Sequence, residues 1–459
     1  MQMTLAHSAD AQDHVVDQVP LGERRGPVTM GLLWVTMVTG FPSVLVGFEW
    51  YKAQLSLAQV LQGVVVSCLI LLAYGIPATY LGSKSGLSYS ILSRKVFGAW
   101  GSRLVSFNLV WISVAWYGLN AMFLADALKG LYHFDIPSTW FAVALALAMA
   151  VNNMFGFSGI ANFARYFAAP VLILWVGYTF CKVFPTCPTS VFTTAEPHSM
   201  TFALSTISAF VVGYSVWGNE ADYWRYSRPK KMLSAIPLLG SLIIGQIMFP
   251  VTGWMLARLT GITEAGPATD LMNQYAFGGF SIIAAVVLVV SYFAVNDSGL
   301  YGAINGIENL KEWPRRHVVA SLAITGAIAA YWLANCSNAF EVVATLSSIM
   351  LPAATIIMLL EYFWFRRGNE STDTFSVSAF EHLPSVQPSA VWSLFSGIMV
   401  GVATSGLIPG LQSLHFGICS LQSWLACGFA YLTLRSLELA QAKRQKDRLE
   451  SQFSMSPLG

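Results

Sequence analysis

The sequence predicts an all-α polytopic membrane protein with twelve transmembrane helices. Composition is the first observation: 55% of the 459 residues are apolar and only 10% are charged. Soluble domains carry about 25% charged residues, and here the mean hydropathy is +0.58. The second is a recurrence of apolar runs of about 20 residues, the length a helix needs to cross a hydrocarbon core about 30 Å thick. The third is where the charge falls. With the N-terminus inside, 21 of the 25 Lys and Arg residues lie in cytoplasmic segments, and only Lys52, Lys129, Lys182 and Arg258 face outward. One missed helix would scramble that split. It therefore supports the count as well as a multi-pass protein of the cell membrane with both termini in the cytoplasm.

Taken in order, residues 1–27 are polar, with His7, His14, Arg24 and Arg25, and have no apolar core followed by a cleavage site. They read as a cytoplasmic tail, not a signal peptide. The spans then fall at 28–50, 57–82, 101–131, 137–157, 160–184, 200–222, 233–259, 276–305, 316–335, 338–365, 391–408 and 413–436. Span one carries its own interruption, TGFPSVLVGFEW. Pro42 removes a backbone donor beside Ser43, and Gly40 and Gly47 loosen the helix on either side. Span six breaks similarly five spans later. Matching breaks suggest two five-helix repeats of opposite topology, 28–184 and 185–367. A polar cytoplasmic connector (368–390), helices eleven and twelve (391–436) and a charged cytoplasmic tail (437–459) follow. The loop Gly82–Arg103 is basic and amphipathic and reads as a helix at the cytoplasmic interface.

Other classes are argued against by what is missing. No basic stripe lies outside the membrane-flanking loops, so nucleic acid is not an expected partner. The six cysteines (Cys68, Cys181, Cys187, Cys336, Cys419, Cys427) are scattered without metal-ligand spacing, and no motif asks for a cofactor. Cys181 and Cys187 are near enough in sequence to pair, though unpaired small hydrophobes are the simpler reading. An intramembrane enzyme needs paired acids, a Ser–Lys pair or histidine ligands at membrane depth. No histidine sits in a span core except His415, and it is near an end.

Several polar residues stand where lipid offers them no partner. The stretch Ala209–Tyr226, AFVVGYSVWGNEADYWRY, begins apolar, breaks pattern at Gly213, Tyr214 and Ser215, passes Asn219 and Glu220 and ends in Asp222, Arg225 and Tyr226. Irregular backbone survives at membrane depth only beside a cavity or another protein segment, and such an interrupted segment marks a transporter's binding site. A kinked helix packing small residues on a neighbour is the alternative. In span three, Trp116 and Asn120 are four residues apart on one helical face, with Ser113 a turn earlier. An aromatic plane beside an amide suits a flat heterocycle, whose ring stacks while the amide pairs with its edge. A lipid-belt indole with a helix–helix Asn contact fits the same residues. In span eight, Asn296 and Asp297 follow Ser291 by about a turn. Asp297, Glu49 and Glu220 are intramembrane acids with three options each: a structural hydrogen bond, a substrate contact or proton carriage.

These motifs resemble, in order, those of the nucleobase–cation symporters, which include cytosine and purine–cytosine permeases. GSKSGLSYSILSRKVFG between spans two and three is similar to that family's Gly-Ala-Lys-Thr-Gly-Leu loop. Trp116-Tyr117-Gly118 resembles its span-three Gly-Trp-Phe-Gly, and NEADYWRY from Asn219 to Tyr226 resembles an Asn-x-x-Asp-(Phe/Tyr)-x-Arg-(Phe/Tyr) signature. Asn296-Asp297 is similar to the span-eight Asn-Asp, and Pro352 with Glu361-Tyr362 to the Pro…Asp-Tyr of span ten. The resemblance covers roughly residues 25–435. It implies a leucine-transporter-type fold of five plus five helices plus two, with substrate between broken spans one and six and spans three and eight.

The same resemblance implies that Trp116 is one wall of an aromatic sandwich. At the opposite wall this chain has Gly213, leaving Tyr214 or Phe210 for that role. Asn120, Ser113, Ser215 and Asn296 are the implied edge readers, and Pro42, Ser43, Asn219 and Asp222 shape the breaks. Where sodium-coupled relatives place two hydroxyl residues before the span-eight Asn, this chain has Ala294 and Val295. The implied activity is uptake of a small planar N-heterocycle, cytosine or a related nucleobase, with a proton through Asp297, Glu49 or Glu220 and without sodium. Hydantoins, vitamin-type pyrimidines or pyridines, and amino acids or amines on the same fold are the alternatives.

Overall fold

The computed structural model describes residues 17–190, 198–215, 217–311, 313–336, 338–366, 375 and 383–454. Expectations for residues 1–16, for most of the 368–390 connector and for the last five residues lie outside this set. The described residues form helices and no named strand.

The first crossing is α1 (Pro27–Val38) and α2 (Phe41–Lys52), bent by 45°. Pro27 and Pro42 both stand in a first helical turn, where the missing N–H has no intrahelical partner to lose. α3 (Leu57–Ser85) starts from a Ser56–Gln59 capping box and ends at Gly86, whose φ of 68° favours glycine. The short α4 (Tyr89–Phe97) precedes α5 (Gly101–Tyr132). α6 (Ser138–Met149), α7 (Gly156–Phe163) and α8 (Ala169–Val183) come next, and then α9 (Met200–Ser215) and α10 (Glu220–Trp224). α11 (Lys231–Leu242) leads into α12 (Phe249–Thr260) through a π turn at 243–248, as α7 leads into α8 through one at 164–168. Both of these π turns come just before a proline, Pro170 or Pro250, where the extra residue can relieve the clash of the ring with the preceding turn; a third, at 361–365, precedes none. The chain closes with α13 (Ala265–Phe277), α14 (Ser281–Leu310), α15 (Arg315–Leu333), α16 (Ala339–Leu360), α17 (Pro388–Thr404) and α18 (Cys419–Ser454).

Eight helical stretches among the described residues are long and apolar enough to cross a membrane, nine with the bent α1–α2 pair. The sequence reading counts twelve, and the difference has local causes. Ser138–Thr186 runs 49 residues as one stretch, roughly 70 Å if straight, which is more than two hydrocarbon thicknesses. α17 is apolar but only 17 residues long, and α18 continues into the charged tail.

Four expectations need correcting. The segment 82–103 does contain a helix, but most of it is buried rather than lying on the surface, with Ala99, Trp100 and Arg103 left exposed. α4 buries Tyr89, Ile91, Leu92, Val96 and Phe97, and its Ser90 bonds the Asn305 carbonyl. α13 appears where the sequence reading has a loop, because its polar face hid it from a search for apolar runs; α14 accordingly starts at Ser281, after Gly278 and Gly279 turn the chain at φ 58° and 87°. The end of the polar tail is docked: Val19 N–H bonds Gly86 O, and the Arg24 guanidinium reaches Val19 O and Ser83 O. Burial pushes the Arg24 guanidinium down from its ordinary value. The span-six break lies beyond Gly213–Ser215, which are helical, and turns at Gly218 with φ 75°. Gly213 is small for another reason. A Cβ there would strike the Ala344 carbonyl of α16, so it marks a close crossing rather than a turn. All six cysteines are free.

α5 and α14 pack along each other through the middle of the bundle, and α2 packs on α12. The latter contact is backbone on backbone: a Cβ at Gly47 would meet Pro250 O, and one at Gly253 would meet Val44 O. That closeness fixes the second half of span one and leaves α1 to lie against α11.

Candidate functional site

Where α1, α5, α9, α14 and α16 converge on the two breaks, a cavity opens whose volume, taken over the positions the centre of a water molecule can occupy, is about 40 Å3. α5 contributes a helical stripe, Ile112, Ser113, Trp116, Tyr117 and Asn120, whose three- and four-residue spacings put them on one side. Gly213 and Tyr214 enter from α9, Trp217 from the span-six break, and Val295, Asn296 and Gly299 from α14. Met37 and Leu351 complete the lining.

The indole of Trp116 points into the protein. Its Nε1–H donates to Ser347 Oγ at 2.6 Å, one helical turn before Leu351 on α16. Tyr214 meets it edge-on, with centroids 5.6 Å apart at 75°, and Phe340 does the same from 5.9 Å. Phe340 also contacts Phe123 and Phe210, each at 5.1 Å, so these rings form a layer on one side of the cavity. On the other side Trp217 meets Tyr223 edge-on, and Tyr223 continues to Trp34 and Tyr301.

One amide orientation follows from the hydrogen bonds. Asn296 Nδ2 donates to Tyr117 O at 3.2 Å and lies 2.9 Å from Met149 Sδ. The Tyr117 carbonyl can only accept, so Asn296 turns its oxygen towards Asn120, whose Nδ2 donates to it at 3.0 Å. Asn120 Oδ1 is thereby left buried without a partner. Trp217 Nε1 is a second buried polar atom without a partner on this wall. The Tyr214 hydroxyl is a third such atom, so the cavity presents an acceptor, a donor and a hydroxyl that can be either among aromatic faces, which matches the needs of a flat ring bearing donors and acceptors.

Of the residues singled out from sequence, Ser113, Trp116, Asn120, Gly213, Tyr214 and Asn296 meet in this cavity. Phe210 does not line it and packs on Phe340 instead. Ser215 borders a second, smaller cavity with Trp34, Tyr74, Glu220 and Leu238. Asp297 turns away because one residue rotates a helix by about 100°; its carboxylate accepts from Asn152 Nδ2 at 2.5 Å and Asn153 Nδ2 at 3.3 Å. Glu49 stands at the C-terminal end of α2, its side chain 40% exposed and 3.9 Å from Lys52. Asp222 accepts from Tyr89 N–H and Asn219 Nδ2, tying the span-six end to α4. Pro42 and Ser43 are buried in the first turn of α2.

The α14 residue at the span-one break is neither Ala294 nor Val295. Val295 faces the cavity, and Ala294 packs on Ala168 and Val290. Ser291, one turn before Val295, meets the break: its Oγ accepts Phe41 N–H at 3.0 Å and would crowd a Cβ at Gly40. The Val38 carbonyl, at the end of α1, accepts from Gln246 Nε2 at 3.0 Å. Among the described residues no group of three or more His, Cys, Asp or Glu side chains is placed to hold a metal ion. Sequence reasoning missed Trp217, Met37, Leu351 and Ser347. Only Trp217 carried a signal, as an indole inside the interrupted stretch.

Residues 19–424 match the family described as permease for cytosine/purines, uracil, thiamine, allantoin. The cytosine permease of Escherichia coli K12 is 24% identical over 424 residues, covering 90% of this chain and 94% of the permease. Among solved structures, Mhp1, a nucleobase-cation-symport-1 family transporter closed around bromovinylhydantoin, is similar in fold, with a TM-score of 0.73 at 16% identity over 92% of this chain and 94% of its own. A Na+-coupled sialic acid symporter in a substrate-bound outward-open state gives a TM-score of 0.64 at 14% identity, covering 94% and 93%.

Proposed function

This chain belongs to the family of permeases for cytosine/purines, uracil, thiamine and allantoin, and from that premise we propose that it imports a small planar N-heterocycle, cytosine or a related nucleobase, by alternating access. It is a multi-pass membrane transporter, not an enzyme. The proposed architecture is twelve crossings in two inverted five-helix repeats plus two, both termini cytoplasmic. The 49-residue stretch Ser138–Thr186 then counts as two crossings, and α17 and α18 supply the last pair.

One observation carries the substrate proposal: the Trp116 and Trp217 indoles share a cavity with the unpartnered Asn120 oxygen. The ring stacks on Trp116, Tyr214 and Trp217 close round it, and Asn120 accepts a ring N–H or exocyclic amine. Ser113 lies on the same wall, and Asn296 serves by orienting Asn120. Each aromatic face is worth about 1–3 kcal/mol to a stacked base.

The coupling ion we propose is a proton carried by Asp297, with sodium not required. Two observations support this reading. Two oxygens at the span-one break, Ser291 Oγ and Val38 O, accept N–H donors from Phe41 and Gln246, and among the described residues the hydrogen-bond donors to the Asp297 carboxylate are the neutral amides of Asn152 and Asn153.

The test is a thermal-shift screen of nucleobases and related heterocycles on the purified protein and on Trp116→Ala. A ligand that binds only the folded state raises apparent stability by mass action. A true ligand stabilises the wild type and loses its effect in Trp116→Ala; an unchanged shift in the variant removes the site.

A further inference from the structure

Glu220 is an acid that this transport cycle does not need as a carrier, and its surroundings give it other work. Unwinding the chain between α9 and α10 frees backbone N–H groups at membrane depth, where an unsatisfied one is costly. Glu220 Oε1 accepts two of them, from Trp217 and Gly218, each at 3.2 Å. Its Oε2 accepts the Tyr74 hydroxyl of α3 at 2.6 Å. Tyr74 is itself seated on the Trp424 ring of α18, 5.2 Å between centroids, and Trp424 Nε1–H bonds Ser348 O. From the other side, Thr355 of α16 donates to the Gly218 carbonyl at 2.5 Å. Gly218 has φ 75°, and a Cβ there would strike Leu351. The break is therefore clamped between α3 and α16, and Trp217, the residue it delivers to the substrate cavity, hangs from the same carboxylate.

We infer that Glu220 is a positioning residue: by accepting the Trp217 and Gly218 N–H groups and the Tyr74 hydroxyl, it fixes Trp217 against the substrate ring. The inference rests on the substrate reading above. Its chemistry separates it from proton carriage. A glutamine keeps one oxygen for the two N–H groups and offers its NH2 to the Tyr74 oxygen, so it preserves the clamp without titrating. Alanine leaves both N–H groups bare.

Three variants, Glu220→Gln, Glu220→Ala and Trp116→Ala, are purified and titrated with the heterocycle that most stabilises the wild type. Amide exchange of the peptide spanning 214–224 is followed in parallel without ligand. Expected are a dissociation constant within about 3-fold of wild type for Glu220→Gln and about 5–150-fold weaker for Glu220→Ala, with faster exchange across 217–218 in the alanine variant only. On a Trp217→Ala background, Glu220→Ala adds no further loss. Wild-type affinity and exchange in Glu220→Ala, alongside lost binding in Trp116→Ala, overturn the positioning role and leave the cavity standing. Unaltered binding in Trp116→Ala overturns the cavity reading, and the ligand-free exchange still decides the clamp. Equal loss of pH-driven uptake in Glu220→Gln and Glu220→Ala with intact binding makes Glu220 a carrier and refutes the inference. If Glu220→Ala does not fold, Tyr74→Phe substitutes for it; faster exchange at 217–218 supports the clamp, and unchanged exchange refutes it.

Discussion

Asn120→Ala is the substitution that most directly tests how the cavity reads a ring. The amide network leaves the Asn120 oxygen buried and unpartnered, because Asn296 commits its NH2 to Tyr117 O and so turns its own oxygen to Asn120. A net neutral hydrogen bond contributes about 0.5–1.5 kcal/mol, while a buried acceptor left unmade costs about 1–3 kcal/mol. A ring N–H donated to Oδ1 supplies the first and relieves the second. Removing Asn120 should therefore weaken binding by about 1–3 kcal/mol, or about 5–150-fold in Kd. Alanine also strips Asn296 Oδ1 of its donor, so the single variant is ambiguous. The cycle that resolves it pairs wild type and Asn120→Ala with a ring and its N-methylated analogue, each titrated by equilibrium binding in detergent. If the methylated position donates to Asn120, the two losses overlap and the coupling exceeds about 1 kcal/mol. Losses that add within about 0.5 kcal/mol refute the assignment of Asn120 as the acceptor.

Three further outcomes are expected. Asp297→Asn abolishes accumulation driven by a pH gradient in proteoliposomes while substrate exchange persists, and replacing sodium by choline at fixed pH leaves wild-type uptake intact; loss of most uptake in choline refutes proton coupling. Gly47→Ala forces a methyl against Pro250 O and the neighbouring backbone of α12, at a cost of about 1–3 kcal/mol for overpacking, read as a lower apparent Tm; an unchanged Tm refutes the close crossing. Ser347→Ala removes the acceptor of the Trp116 indole N–H and weakens ring binding several-fold, less than Trp116→Ala does; equal losses would mean that Trp116 contributes only through that bond.

The site was legible wherever its signal was local. Ser113, Trp116 and Asn120 announce a helical face by spacing alone, and Thr39 to Pro42 carry a glycine and a proline two residues apart at the true bend. The span-six break was read early because glycine serves two ends. Gly213 lets α9 approach Ala344, Gly218 turns the chain, and nothing local in the sequence separates a packing glycine from a turning one. Adjacent Asn296 and Asp297 read as one polar pair, but a helix sends neighbours to different faces, one to the cavity and one to Asn152 and Asn153. Met37, Leu351 and Ser347 were illegible because an apolar residue or a serine in a membrane helix looks the same on any face. Only the tertiary arrangement chooses.

The same distinction sorts the buried acids. Protonating Glu220 at Oε2 leaves Oε1 to the Trp217 and Gly218 N–H groups but takes from the Tyr74 hydroxyl the oxygen it donates to, and Asp222 must keep Oδ1 as an acceptor for the Tyr89 N–H whichever way it titrates. Glu361 is bound to Arg366 and Arg435 at 3.0 Å each and to the Tyr431 hydroxyl, so neutralising it would break two ion pairs and leave Arg435 with Glu438. Asp297 is different in kind. Its two partners are side-chain amides, and an amide that rotates presents an oxygen where it had presented NH2. Asn152 and Asn153 can therefore serve a carboxylate or a carboxylic acid, without exposing backbone and without breaking an ion pair. A group that changes protonation in every cycle has to be one whose neighbours can follow it. Among these four, Asp297 alone is surrounded that way.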